Sequence, residues 1–269
     1  MTKPIRMLAL FTLASGLALG AAACSDTTNV SGPATFTPQD IGVTNADLQA
    51  AIDAAVAVGA AGNGGLGLPM WATVEDRHGV VVAVAHSGTA VGDQWLGSRA
   101  ISAQKANTAN DFSLDGLALS TANLWAPTQP GGSLYGLQES NPVDPEVVYG
   151  GNYDEYGTVN DFMVGKKPGG VNVFGGGLAL YDAAGTVVGA VGVSGDTSCA
   201  DHNIAWRVRD ALVLNFAAGK GVDAASTDDI IYDVAADANG HLVSAGGFGH
   251  PDCGFGESGF NMSVLLPLQ

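Results

Sequence analysis

Gly177-Leu178-Ala179-Leu180-Tyr181-Asp182, Ala183-Ala184-Gly185 and Thr186-Val187-Val188-Gly189-Ala190-Val191-Gly192-Val193 follow one another directly in the chain. The first and last runs are rich in β-branched and apolar residues, and the middle one is a turn ending in glycine, so the stretch reads as a β-hairpin. An earlier pair of runs, Met70 to Asp76 and Val80 to His86, is joined by Arg77-His78-Gly79 and reads the same way. Helical patterns lie between and around these hairpins. Leu48, Ala51, Ile52, Ala55 and Val56 recur at helical spacing behind a candidate N-cap at Thr44 or Asn45, giving about four turns. Ser98 to Phe112 forms a second helix, a shorter one is expected around Leu117 to Leu124, and Ala200 to Ala217 places Ile204, Val208, Ala211, Leu212 and Phe216 on one face. Helix, hairpin, helix, hairpin, helix implies an α+β domain, a mainly antiparallel sheet with helices packed on it.

The remaining segments are less regular. Residues 126–156 are rich in Pro, Gly, Asn and acids, and a loop of that length in a compact domain usually covers or borders a site. After residue 220 we expect strands at Ile230–Val234 and His241–Val243, glycine-rich loops holding His250 and Cys253, and a last strand near Met262 to Leu266.

The N-terminus reads as a secretory signal. Lys3 and Arg6 precede an apolar run, Met7 to Leu19, that is too short to cross a bilayer and ends in Gly20-Ala21-Ala22-Ala23-Cys24. Residues 1–23 form the expected signal peptide, and Cys24 is the expected lipid anchor of a lipoprotein, with Ala21 where the usual lipobox carries Leu. Residues 24–40, small and polar, read as a tether, and 41–269 as a single domain. The expected location is the cell envelope, facing periplasm or exterior, with membrane contact through the lipid alone.

Removing residues 1–23 leaves eight basic against 26 acidic side chains, so the net charge moves from −16 to −18. Such a surface repels nucleic acid and anionic headgroups. Of the three cysteines, Cys199 and Cys253 remain once Cys24 is set aside. In an oxidising compartment an even pair is most simply a disulfide, whose loop of about 55 residues would contribute about 4 kcal/mol in the chain-entropy model.

Several of these stretches together resemble a known family. Val74-Glu75-Asp76-x-x-Gly79-Val80-Val81-Val82-Ala83, Lys105-Ala106-x-Thr108-Ala109, Gly175-Gly176-Gly177-Leu178, and Val188-Gly189-Ala190-Val191-Gly192-Val193-Ser194-Gly195 with Asp201 shortly after are similar to the GlcG/HbpS family of haem-binding proteins over residues 44–218. The resemblance implies a profilin-like α-β-α layered domain, homo-oligomers and haem, or a similar planar ligand, as partner. Where members often carry Arg-x-Asp-Gly after the first hairpin, this chain has Ala85-His86-Ser87-Gly88, and the extension from about residue 220 exceeds the usual family length.

Haem iron needs one or two axial donors, most often His, in an apolar pocket. His78 and His241 sit beside glycines in turns and read as solvated. His86 closes an apolar strand and is a candidate ligand, or else an exposed strand-end residue. Cys199-x-x-His202 and His250-x-x-Cys253 mirror each other, so a bridge would bring both imidazoles into one neighbourhood, able to hold haem iron or a divalent metal. With free thiolates the same four residues suit a zinc site; with no ligand at all the bridge pins the extension. Asp201 either orients an imidazole or, the favoured reading, caps its helix. Lys105 meets a propionate or a subunit neighbour, or faces solvent. Gly192-Val193-Ser194-Gly195-Asp196 lacks the spacing of a nucleophile elbow, and Gly175-Gly176-Gly177 precedes no helix. Haem binding without conversion is the leading reading. A redox or hydrolytic enzyme centred on His202 and His250, and a ligand-free interaction lipoprotein, are the alternatives.

Overall fold

The computed structural model describes residues 32–269; the signal segment, Cys24 and the first part of the expected tether lie outside them. Helix α1 spans Asn45–Ala57. The hairpin β1 (Trp71–Asp76) and β2 (Val81–His86) follows, then helix α2 (Gly97–Phe112). The second hairpin, β3 (Gly177–Tyr181) and β4 (Val187–Ser194), leads into helix α3 (Ser198–Ala211). The four strands form one antiparallel sheet in the order β2-β1-β4-β3, with Trp71 opposite both His86 and Ser194. The α+β, antiparallel reading of the sequence is the observed fold.

Alternation along the strands decides the layers. Ala72, Val74, Ala83, Ala85, Leu178, Leu180, Val191 and Val193 share a core with Leu48 and Ile52 of α1 and with Ile204, Trp206 and Val208 of α3. Trp71 and Val84 pack instead with Ala100 and Ala103 of α2, and Thr73 is hydrogen-bonded to Ser102 (2.8 Å). The sheet is therefore covered on both faces. Thr44 caps α1 in a capping box with Asp47. Helix α2 lies so close to the sheet that a Cβ at Gly192 would strike the Ser102 carbonyl, and one at Gly177 the Lys105 carbonyl.

Four sequence expectations need correction. The helix near Leu117 to Leu124 is a 3-10 turn, Ala122–Leu124, running into one helical turn, Trp125–Thr128. Helix α3 ends at Ala211 rather than Ala217, because Val213 takes a left-handed conformation (φ 57°) and turns the chain so that Asn215 bridges Tyr181. The late strands are shifted: β5 (Val234–Ala236) and β6 (Leu242–Ser244) pair only with each other. The last expected strand is a helical turn, Met262–Leu265, capped by the Asn261 side chain. The stretch read as a tether is tied down near its end, where the Phe36 and Gln39 amides donate to the Gly165 carbonyl (2.6 Å) and the Asp76 carboxylate (2.7 Å). Among the described residues no helix is long and apolar enough to cross a membrane.

Two buried ion pairs fasten the irregular segments to this frame. Arg99 on α2 grips Asp161 with both terminal nitrogens (2.5 and 2.7 Å) and donates to the Val148 carbonyl, while its guanidinium lies 3.7 Å from the Tyr156 ring centre. Arg209 on α3 grips Asp228 likewise (2.7 and 2.8 Å), holding the start of the extension.

The contact at Gly192 makes a testable demand. Gly192→Ala should destabilise the domain by about 3 kcal/mol, since a backbone neighbour cannot yield as a side chain can. Gly97→Ala, at a helical position with open space around it, should change stability by less than about 1 kcal/mol. Urea midpoints of the two variants check the contrast.

Candidate functional site

The first turn of α3 organises the residues that the sequence singled out. Thr197 is the N-cap, its hydroxyl accepting from the Ala200 amide (3.2 Å), so the reading of Asp201 as the cap is corrected. Asp201 faces inward: Oδ2 receives the Lys105 ammonium (2.6 Å), and Oδ1 accepts from the Asp196 amide (2.8 Å). Lys105 is fully buried and also donates to the Val193 carbonyl (3.0 Å); it is neither a solvated residue nor open to a propionate. Burial raises Asp201 to about 6 against the opposing pull of Lys105, and burial also lowers Lys105. A small cavity of about 280 Å³ between Trp95, Ile101 and Phe174 reaches Asp201 but not Lys105.

A disulfide joins Cys199 to Cys253, with α-carbons 6.1 Å apart. It draws His250 against α3. The His250 ring lies 2.7 Å by Nδ1 from the Pro251 carbonyl, which requires a hydrogen on Nδ1. Nε2 therefore accepts from the Ser198 hydroxyl (2.8 Å), and that hydroxyl accepts in turn from the Gly175 amide (2.7 Å). Burial lowers His250 to about 4, so the ring is neutral at physiological pH with both nitrogens engaged. Nothing in the sequence around Ser198 signalled this contact, because its partner comes from 52 residues away.

His202 is also fully buried, near Trp206 and 3.5 Å by Nε2 from Asp229 Oδ1, and neither of its nitrogens has a hydrogen-bond partner. Burial pushes Asp229 upward, but the His202 imidazole and the Ser263 and Ile230 amides outweigh it and hold the carboxyl below its ordinary value. Among the described residues one group of three metal-ligating side chains lies close enough to share an ion, namely Cys199, His250 and Cys253. The bridge leaves it no thiolate, and His202 is not in it.

His86 stands elsewhere, half-buried at the end of β2. Its ring meets Trp71 edge-on at 5.0 Å, Nδ1 is 3.0 Å from the Gly88 carbonyl, and Gly157 presses on the ring where any Cβ would collide. His78 is exposed in the β1–β2 turn.

A larger concavity lies beside the long loop. A cleft of about 770 Å³ opens between Phe112, Leu119 and Leu124, residues 126–134, and Leu242, Val243 and Phe248 of the extension. It adjoins a second cavity of about 340 Å³ lined by Trp125, Gln129, Pro130, His241, Leu242 and Val243. The long loop does border a cavity. Its opposite wall belongs to β6, whose short apolar run gave no sign of that pairing.

One further buried group stands apart from these residues. Glu75 on β1 is fully buried, neither of its oxygens is hydrogen-bonded, and burial, then Asp111 and Asp76, push it well above its ordinary value. A carboxyl held protonated in the native state and ionised in the unfolded chain makes stability fall as pH rises. Asp201 acts between its unfolded 3.8 and about 6, and Glu75 from 4.5 upward. His250, lowered to about 4, adds stability as pH rises between about 4 and 6.5 and so opposes Asp201; the Glu75 contribution is read as a difference, and the unfolding midpoint of wild type relative to Glu75→Gln should fall as pH rises above 4.5.

Residues 43–209 match the family model described as haem degrading protein HbpS-like. No protein of curated function matches the chain significantly. Among solved structures, the chain is similar to the Klebsiella pneumoniae protein ORFY at 26% identity, with a TM-score of 0.42, covering 63% of this chain and 90% of that one. It is also similar to PduOC in its haem complex, at 24% identity and a TM-score of 0.42, covering 63% and 94%. For HbpS the values are 20% and 0.39, covering 65% and 92%. The family match spans more than half of the sequence and ends before the extension that carries His241, His250 and Cys253: this chain belongs to the HbpS-like family.

Proposed function

We propose that this protein is an exported, membrane-tethered haem-binding protein that stores, relays or senses haem or a similar planar tetrapyrrole. The observation that carries the reading is the match of residues 43–209 to a family described as haem-degrading. The cleft supports it: about 770 Å³ lies within the usual 300–1,000 Å³, roughly, of small-molecule sites. Its walls are mainly apolar, as the faces of a porphyrin require, and the adjoining cavity includes one imidazole, His241. Bound haem would supply the iron chemistry, and the chain would supply burial of the ring and a nitrogen donor. The rival site at His202 and His250 has less in its favour, since His202 is sealed inside and His250 spends both nitrogens on Ser198 and Pro251.

Hemin titrated into the protein should give a Soret band distinct from that of free hemin; an unchanged spectrum refutes the reading. Adding ascorbate and dioxygen then tells a carrier, whose band persists, from a degrading enzyme, whose band bleaches. The tether rests on Gly20-Ala21-Ala22-Ala23-Cys24 and the short apolar run before it. Cys24→Ser should move the protein from the membrane fraction to the soluble exported fraction, and an unaltered membrane fraction counts against a lipid anchor.

A further inference from the structure

The geometry points to His241 as the axial ligand of a metalloporphyrin seated between the β5–β6 hairpin and residues 125–134. The inference rests on the haem-binding reading and adds a site on the extension, outside the family match. His241 follows Gly240 at the tip of the hairpin, with a side chain 75% exposed. Exposure alone would make it an ordinary turn residue. Two observations set it apart.

First, Asp237 holds the imidazole. Its Oδ2 lies 3.3 Å from Nδ1, and its Oδ1 accepts from the amides of His241 (2.9 Å) and Asn239 (2.8 Å). A carboxylate beside Nδ1 orients the imidazole and favours the hydrogen on that nitrogen, so that Nε2 is the nitrogen turned to a metal, as for metal-binding histidines generally. Second, His241 lines the cavity with Trp125, Pro130, Leu242 and Val243, and that cavity shares Gln129, Pro130, Leu242 and Val243 with the larger apolar cleft. A donor nitrogen and an apolar slot thus share one wall.

The other histidines are less suited, His78 because it lines neither cavity. His202 is sealed in, His250 is fully hydrogen-bonded, and His86 is wedged against Gly157. No lysine or arginine lines either cavity, so a porphyrin gains no ion pair for its propionates there. Binding then depends on the iron–nitrogen bond and on apolar contact.

The test is a hemin titration of the full chain, as wild type and as His241→Ala, Asp237→Asn and His86→Ala, run in parallel with metal-free protoporphyrin. His241 and Asp237 are surface residues, so the variants should fold. We expect His241→Ala to weaken hemin binding by at least about tenfold, to lose the imidazole-ligated spectrum, and to regain it on adding free imidazole. Asp237→Asn should weaken binding by about tenfold or less, His86→Ala should match wild type, and metal-free protoporphyrin should bind wild type and His241→Ala alike. An unchanged spectrum and affinity in His241→Ala overturns His241 as ligand while leaving haem binding intact. Equal loss of hemin and metal-free protoporphyrin in that variant overturns it too, because coordination is then not what was removed. No Soret shift with wild type overturns this inference and the proposed function together.

Discussion

The close approach of α2 to β4 and β3, backbone against side-chain-free backbone at Gly192 and Gly177, sets the distances on which the remaining structure depends. Only glycine leaves the Ser102 and Lys105 carbonyls room there. That approach carries Lys105 through the layer to Asp201 on α3, so that the two helices on opposite faces of the sheet are joined by a buried ion pair. A pair of this kind gains little over a well-packed apolar substitute, but breaking it by removing one partner leaves a buried charge and costs about 3–5 kcal/mol. It acts as a specifying contact. Its effect is to fix where the first turn of α3 points.

From that turn the extension is built outward. Cys199 holds Cys253, Ser198 holds His250, and further along the helix Arg209 holds Asp228. These three attachments lie on one helix, so a chain otherwise poor in long secondary structure after residue 211 is folded back onto the family domain. The short β5–β6 hairpin has no sheet of its own to join. It is placed by these anchors and becomes one wall of a cleft whose other wall is the loop after α2, itself fastened through Arg99 and Asp161.

The same economy of charge shapes the interior. A chain with ten basic residues commits Arg99, Lys105 and Arg209 to buried carboxylates and leaves the cleft without a cation. Glu75, without a hydrogen-bond partner among the described residues, is pushed towards its neutral form by burial and by Asp111 and Asp76 instead. Both devices keep charge out of a low-dielectric core.

The sequence by itself determined what is written in local periodicity: both hairpins of the main sheet, the three long helices, a cap at Thr44 or Asn45 that the structure places at Thr44, and the antiparallel α+β order. It also carried the motifs in which the family resemblance is read, and two of their glycines, Gly177 and Gly192, stand where backbone approach leaves no room for a Cβ. It misplaced what depends on contacts distant in the chain. Met262–Leu265 has a strand's composition yet turns helically under an Asn261 cap, and α3 stops early because Val213 adopts a left-handed conformation that no local rule anticipates. Asp201 looked like a cap because helix starts favour acids, whereas only the folded chain brings Lys105, 96 residues away, to its carboxylate. His241 reads as a solvated turn residue, and its side chain is exposed in the fold. Its turn is legible in Asn239-Gly240, but the cavity beside it exists only where the extension meets the loop after α2, and that meeting is settled by tertiary anchors and not by any property of the turn.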